Sequence, residues 1–375
     1  MLLQAPQRLP VTVVTGFLGA GKTTLLRHLL LHSRRRLAVV VNEFGEVGID
    51  GDLLRSCGFC NEEEIDGRLV ELANGCLCCT VQDDFLPTME TLLARSQELD
   101  GILVETSGLA LPEPLLAAFQ WPQIRSRTWV NGVVAVVDGE ALAQGAVVSD
   151  PATLEAQRLA DPSLDHAPAI EALFDEQLRC ADLVLVSRAD LLSAGDLERV
   201  AQRIEASVRP GTAMLPMERG AVDDALVLGI APTGDGAETA EHFTRSHEHR
   251  DDDHSHSHGD DHHHDHDQHH DHGHDHVHVP MESVVLRVEG KLDRHALEST
   301  LLDLIRSQGL IRVKGRLRQV GKARPLEIQA VGPRLESWYA DAGSASEQGP
   351  AGLELVVLGF GLQQELLQAS LAALV

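Results

Sequence analysis

At 375 residues the chain is long enough for two domains with cores of their own. Its formal net charge of −26 excludes nucleic acid and an anionic membrane surface as electrostatic partners. No apolar run reaches the roughly 18 residues of a spanning helix and no signal-peptide pattern opens the chain, so a soluble, cytoplasmic protein is expected.

The first predicted strand, Val11 to Val14, stops at Gly16, and a helical pattern begins at Lys22 after a short loop. Between them Gly16-Phe17-Leu18-Gly19-Ala20-Gly21-Lys22-Thr23 fits the phosphate-binding pattern G-x-x-x-x-G-K-[ST], with the strand and helix that the pattern requires on either side. Its glycines let backbone N–H groups turn inward around phosphate oxygens, and the start of the helix adds partial positive charge. Gly16, Gly19, Ala20, Gly21, Lys22, Thr23 and Thr24 are the expected cradle. Lys22 is expected to reach the β- and γ-phosphates and the Thr23 hydroxyl to ligate Mg²⁺. The sequence therefore predicts a nucleoside triphosphate site in an α/β fold with a mostly parallel, doubly wound sheet.

Ser33-Arg34-Arg35-Arg36 reads as a solvated helix end before a strand over Leu37 to Val41. The polar loop Asn42 to Asp50 leaves that strand at the end where parallel sheets bind ligands, which makes Glu43, Glu46 and Asp50 candidate metal residues. Five of the six cysteines then lie between Cys57 and Cys79, a clustering that points to metal or redox chemistry in a cytosolic chain. Cys76 and Cys78 share one face of an extended segment, so two thiolates from Cys76-x-Cys78-Cys79 leave coordination positions open for an ion that must be loaded and released. A closed structural zinc site drawing on Cys57 and Cys60 is the competing arrangement, and a redox dithiol is a weaker one. Cys180 ends an apolar helix pattern and reads as a small core residue.

Asp84 to Leu99 reads as an amphipathic helix, and the strand Gly101 to Glu105 follows it, then Thr106-Ser107-Gly108. Glu105 stands where a phosphate-loop fold places its second Mg²⁺-linked acid, and Gly108 where the γ-phosphate is sensed. A further strand, Gly132 to Val137, ends in Asp138. The strand Asp182 to Val186 leads into Ser187-Arg188-Ala189-Asp190. The Asp190 carboxylate suits the paired donors of guanine, and Arg188 is able to stack on the base. GTP is the expected nucleotide.

A shorter αβ unit runs to about Ile230, with Met217-Glu218-Arg219 at its loop. From Ser246 to His278 the chain is nearly all His, Asp, Gly and Ser and holds 15 of the 20 histidines. Nothing there is available to bury, and imidazoles beside carboxylates, among them His254, His256, His258, His262 and His264, offer many weak sites for borderline divalent ions. Beyond Pro280 strands over Glu282 to Val288, Leu310 to Leu317, Pro325 to Val331 and Leu353 to Leu358, with helices over Asp293 to Ile305 and Gln363 to Ala373, predict a small α+β domain. Arg312-Val-Lys314-Gly315 reads as exposed strand charge. The expected organisation is thus 1–230 for the nucleotide domain, 231–280 for a metal-binding linker and 281–375 for the C-terminal domain.

Together GFLGAGKTT, NEFGEVGID, NGCLCC, ETSG and the histidine-rich insert resemble, in that order, the CobW family of metal-handling GTPases over essentially the whole chain. Gly48–Cys60, Val104–Ser126 and Asp138–Leu142 look closest to its cobalamin-biosynthesis members. The resemblance implies a GTP-hydrolysing metallochaperone that binds Co²⁺ with Mg²⁺-GTP and passes it to a cobaltochelatase. A zinc chaperone of the same family and a non-catalytic metal buffer are the alternatives. It implies that Lys22, Glu43 and Glu105 serve hydrolysis, with Glu43, Glu105 and Thr23 in the magnesium network. Cys76, Cys78 and Cys79 become the cobalt or zinc motif, with two of the three as ligands, and Ser187, Arg188 and Asp190 read the base. Ser187-Arg188 departs from the family's Lys-containing guanine motif. Expected partners are the metal-recipient protein and, in a nucleotide- or metal-dependent way, a second copy of the chain, with neither nucleic acid nor membrane.

Overall fold

The computed structural model describes residues 8–41, 69–71, 85–152, 154, 170–229, 281–340 and 350–375. Seven strands form the first sheet: β1 (Leu9–Thr15), β2 (Leu37–Val41), β3 (Leu69–Glu71), β4 (Gly101–Glu105), β5 (Thr128–Asp138), β6 (Leu183–Ser187) and β7 (Ala213–Met217). Their order is β3-β2-β4-β1-β5-β6-β7, and every pairing is parallel. The near-continuous apolar runs of β4 and β6, each buried at all five positions, are what a sheet covered on both faces demands. One face is covered by α1 (Lys22–His32) through Leu25, Leu26 and Leu29. The other takes α2 (Leu86–Ala94), where Phe85, Met89, Leu92 and Leu93 pack with Phe119 and Ile124. The expected helix over Asp84 to Leu99 is shorter, with a separate turn of 3₁₀ helix at Ser96–Glu98. Two short helices, α3 (Pro112–Ala118) and α4 (Pro122–Arg125), each start on a proline at a first-turn position. Four more helices lie among the described residues of this domain: α5 (Gly139–Ala143), α6 (Ile170–Cys180), α7 (Ala194–Glu205) and α8 (Asp224–Leu228).

The C-terminal domain is antiparallel. Strands β8 (Glu282–Glu289), β9 (Leu310–Arg318), β10 (Leu326–Val331), β11 (Arg334–Tyr339) and β12 (Gly352–Gly359) run in the order β11-β10-β9-β12-β8. Helices α9 (Arg294–Gln308) and α10 (Gln364–Ala372) cover one face of it through Leu297, Leu301, Ile305, Leu367 and Leu371. Strand β11 is additional to the expected elements, which left the chain between Val331 and Leu353 unassigned.

Arg312 corrects a second expectation. It is 3 % exposed rather than a surface charge, because the start of β9 abuts the nucleotide domain. Its guanidinium donates to Leu226 O (2.7 Å) and Val227 O (2.7 Å) on α8, and to Asn131 O (3.0 Å) and Oδ1 (3.1 Å) on β5. Burial pulls its pKa down to about 9. The basic turn after α1 is likewise less solvated than expected. Arg35 donates to Leu228 O (2.9 Å) and to Gly229 O, so two arginines satisfy successive carbonyls at the end of one short helix. Asp182, fully buried before β6, accepts from Val133 N (2.8 Å), from Arg334 Nε (2.5 Å) of the C-terminal domain and from Arg209. These contacts lie at the N-terminal ends of the parallel strands, which leaves the opposite edge for ligand.

Candidate functional site: the phosphate loop and its neighbours

The loop that follows β1 has the conformation its glycines permit. Gly16, Gly19 and Gly21 have φ of 135°, 75° and 106°, in the left-handed region that side chains rarely enter. A Cβ on Gly16 would stand 2.1 Å from Val136 O, so the loop begins in direct backbone contact with β5. Ala20, 2 % exposed, closes a turn onto Phe17 O. Gly21 caps α1 with its N–H groups unoccupied by any side-chain cap, leaving the helix start open toward the loop. Thr23 is half-buried and Thr24 exposed there.

Lys22 folds back into this loop. Its Nζ donates to Phe17 O at 3.2 Å and stands 3.8 Å from Glu105 Oε1, with the two side chains only 6 % and 3 % exposed. Parallel pairing places Glu105 level with Val14 of β1 and with Val41 of β2, at the strand ends that face the loop. The segment after Glu105 is fastened to β1: Thr106 N donates to Val14 O (2.9 Å) and Thr106 Oγ1 to Thr15 Oγ1 (3.0 Å). Gly108 then meets the phosphate loop itself. A Cβ there would lie 2.7 Å from Leu18 N and 2.7 Å from Leu18 Cγ.

On the other flank the end of β6 touches the same loop, since a Cβ on Gly21 would stand 3.4 Å from Ser187 Cβ. Ser187 Oγ donates to Val137 O (3.1 Å), while Asp190 is exposed in a single 3₁₀ turn. Between them Arg188 takes a left-handed φ of 54°, which turns its guanidinium onto Asp138. Asp138 also caps α5 through Ala141 N (3.2 Å) and accepts from Ser149. The Arg188–Asp138–Ser149 cluster was not foreseen in the sequence, and its guanidinium is engaged on that carboxylate. Cys180, expected in the core, is half-buried. Its Sγ donates to Glu113 Oε1 (2.9 Å), and burial with that carboxylate pushes the thiol up to about 12, which makes it a poor nucleophile and ligand.

The structure thus brings together the loop 16–24, Glu105, Gly108 and Ser187–Asp190 at one edge of the sheet. Glu43, Glu46, Asp50, the five clustered cysteines and the tract histidines His254, His256, His258, His262 and His264 lie outside the described residues. Among the described residues no three His, Cys, Asp or Glu side chains converge as a metal site, and no helix is long and apolar enough to cross a membrane.

A parallel sheet whose first strand delivers a glycine loop, a buried lysine and a facing strand-end acid defines a P-loop nucleotide-binding protein. Residues 10–216 match the family described as CobW/HypB/UreG, nucleotide-binding domain, and residues 281–375 match the cobalamin synthesis protein CobW C-terminal domain. The chain belongs to the CobW family. It is 43 % identical over 372 residues to a protein of Pseudomonas aeruginosa named zinc chaperone CobW, covering 97 % of this chain and 90 % of that one. Identity to the zinc chaperone CobW of a Sinorhizobium species is 40 % over 374 residues, covering 98 % of each chain. A shorter match, 34 % over 199 residues, reaches the zinc-regulated GTPase metalloprotein activator 1 of Schizosaccharomyces pombe and covers 52 % of this chain and 42 % of that one.

Proposed function

We propose that this chain is a GTP-hydrolysing zinc chaperone, in which nucleotide state controls the grip of Cys76, Cys78 and Cys79 on the metal. The observation that carries the reading is the alignment of strand ends at one edge of the sheet. Val41 of β2 pairs with Glu71 of β3 on one side and with Glu105 of β4 on the other. Glu105 is therefore two strand spacings, about 10 Å, from Glu71. Cys76 follows Glu71 by five residues, a reach of at most about 18 Å. A thiolate motif tethered there is within range of whatever the phosphate loop holds.

The loop fits a triphosphate. Three glycines with positive φ put no Cβ at the turns of the loop, and Lys22 already directs its ammonium to the Phe17 carbonyl oxygen within it. Gly16 to Thr24 would hold the phosphates, with Thr23 on Mg²⁺ and Glu43 and Glu105 in the same network. Asp190 accepts from guanine. GTP supplies the phosphoanhydride whose cleavage makes the cycle directional. Lys22 offsets charge on the terminal oxygens, and Gly108, seated on Leu18, ties the loop after β4 to the cradle. Any side chain at position 108 breaks that seat. Gly108→Ala is expected to lower GTP turnover about a hundredfold, in the range of one lost oxyanion donor, while the melting temperature stays within a few degrees. Phosphate release and a thermal melt check both.

Zinc is the favoured cargo because both near-full-length relatives carry that name and because thiolates bind Zn²⁺ above Co²⁺ in the Irving–Williams order. Cobalt for a cobaltochelatase is the finer reading suggested by the cobalamin-type stretches. The two are separated by titrating Zn²⁺ and Co²⁺ into the protein with a non-hydrolysable GTP analogue, with GDP, and in Cys78→Ser. By linkage the analogue is expected to tighten Zn²⁺ at least fivefold, and the serine variant to lose that gain. Equal zinc affinity with analogue and with GDP would refute the switch, and a larger gain for Co²⁺ would make cobalt the cargo. The histidine tract is expected to raise local metal concentration without taking part in that coupling.

A further inference from the structure

Gln177 lies on α6, far in sequence from the phosphate loop, and its side chain is 2 % exposed. Its Nε2 donates to Gly108 O at 3.2 Å and to Ala110 O at 3.1 Å. Both acceptors are main-chain carbonyls, so chemistry fixes the amide's orientation: only the NH₂ end, with two hydrogens, satisfies them. The same loop is held from its other side by Thr106 on Val14 and Thr15, and by the close approach of Gly108 to Leu18. An internal turn, Ala110 N to Ser107 O at 3.0 Å, leaves it little freedom between the two anchors.

We propose that Gln177 is a positioning residue that presses loop 106–110 against the phosphate cradle and thereby sets the preference for a triphosphate over a diphosphate. The inference rests on the GTPase reading above. A diphosphate does not reach a loop that answers the third phosphate, so its affinity is indifferent to where the loop sits. A triphosphate must find the loop in place, and a loop restrained in advance loses less entropy on closing. Gln177 supplies that restraint from the protein interior, where its two hydrogen bonds are undiluted by water. A role confined to filling space would show differently, because loosened packing weakens both nucleotides together.

The test measures GDP and the non-hydrolysable analogue GppNHp on the full chain with Mg²⁺, for wild type, Gln177→Leu and Gln177→Glu. Two neutral hydrogen bonds are together worth about tenfold, so the GppNHp-to-GDP affinity ratio is expected to fall about tenfold in Gln177→Leu. It should fall at least as far in Gln177→Glu, whose carboxylate faces two carbonyls. GDP affinity stays within twofold in both. Hydrogen exchange on the wild type gives a readout that no unfolded variant can spoil: amides of 106–110 are expected to be protected by GppNHp and not by GDP. An unchanged ratio, a parallel loss for both nucleotides, or equal protection by both would overturn the proposal. A wild type that binds neither nucleotide would instead overturn the GTPase reading beneath it.

Discussion

Replacing Lys22 by alanine is expected to lower kcat/KM for GTP by at least a hundredfold and to weaken the ligand-free fold as well. The two effects have separate causes. The ammonium sits 3.8 Å from Glu105 Oε1, in a pocket where neither side chain is more than 6 % exposed. Removing one member of a buried pair typically costs about 3–5 kcal/mol, and the loose 3.8 Å separation argues for the lower end. In the proposed nucleotide complex the same ammonium would face terminal phosphate oxygens, and losing one charged donor at a transition state is worth about 10²–10³ in rate. Urea unfolding with and without GDP resolves them. Wild type should gain stability with nucleotide by mass action, and the variant should start about 3 kcal/mol lower and gain much less. Turnover within threefold of wild type would remove Lys22 from the phosphate site.

The contrast between what was legible and what was not follows from the range of each physical signal. The phosphate loop was readable because all its requirements are contiguous: Gly16, Gly19 and Gly21 supply the backbone freedom, and Lys22 and Thr23 the chemistry. Glu105 and Gly108 were readable because they end an apolar strand, and strand ends in a parallel sheet face the ligand. Arg312 was not. On β9 it alternates with Lys314, Arg316 and Arg318, the pattern of a solvated face, and nothing local says that another domain covers the first of the four. Gln177 was equally silent, since its partners are backbone carbonyls that exist at every position. The Arg188–Asp138 pair was not legible, because nothing in the sequence shows that a left-handed backbone turns that guanidinium onto the carboxylate. Strand β11 went unseen because Arg334–Tyr339 mixes charge and aromatics, and its place is set by pairing with β10 across a tight Gly332-Pro333 turn.

Arg312→Ala carries the second large expected effect, a loss of about 4 kcal/mol, because four hydrogen bonds to buried acceptors disappear together. Leu226 O and Val227 O are the terminal carbonyls of α8, and no further turn of helix exists to use them. Thr12 Oγ1 and Asn131 Nδ2 also reach Val227 O, each at 3.1 Å, and soften that loss, whereas Leu226 O loses its side-chain donor. Arg312→Met, which restores volume but no donor, should recover less than half the deficit. The pH dependence has a definite sign. With its pKa drawn down to about 9, Arg312 in the folded chain binds fewer protons than in the unfolded chain between pH 9 and about 12, so its contribution to stability rises with pH in that window. Neither variant has this rise, so their deficit against wild type should widen from pH 7 to pH 10. Lys314, whose pKa burial also lowers, to about 8, is present in all three chains and cancels from the comparison. The loss should also reach the nucleotide. The helix released by Arg312 is the one that Arg35 and Ser33 tie to the end of α1, the latter through Asp224 Oδ2 at 2.8 Å. A weakened GTP affinity in Arg312→Ala, absent in a variant of an exposed strand charge such as Arg287→Ala, would show that the C-terminal domain steadies the phosphate-binding helix through this joint. Identical affinities would confine Arg312 to holding the domains together.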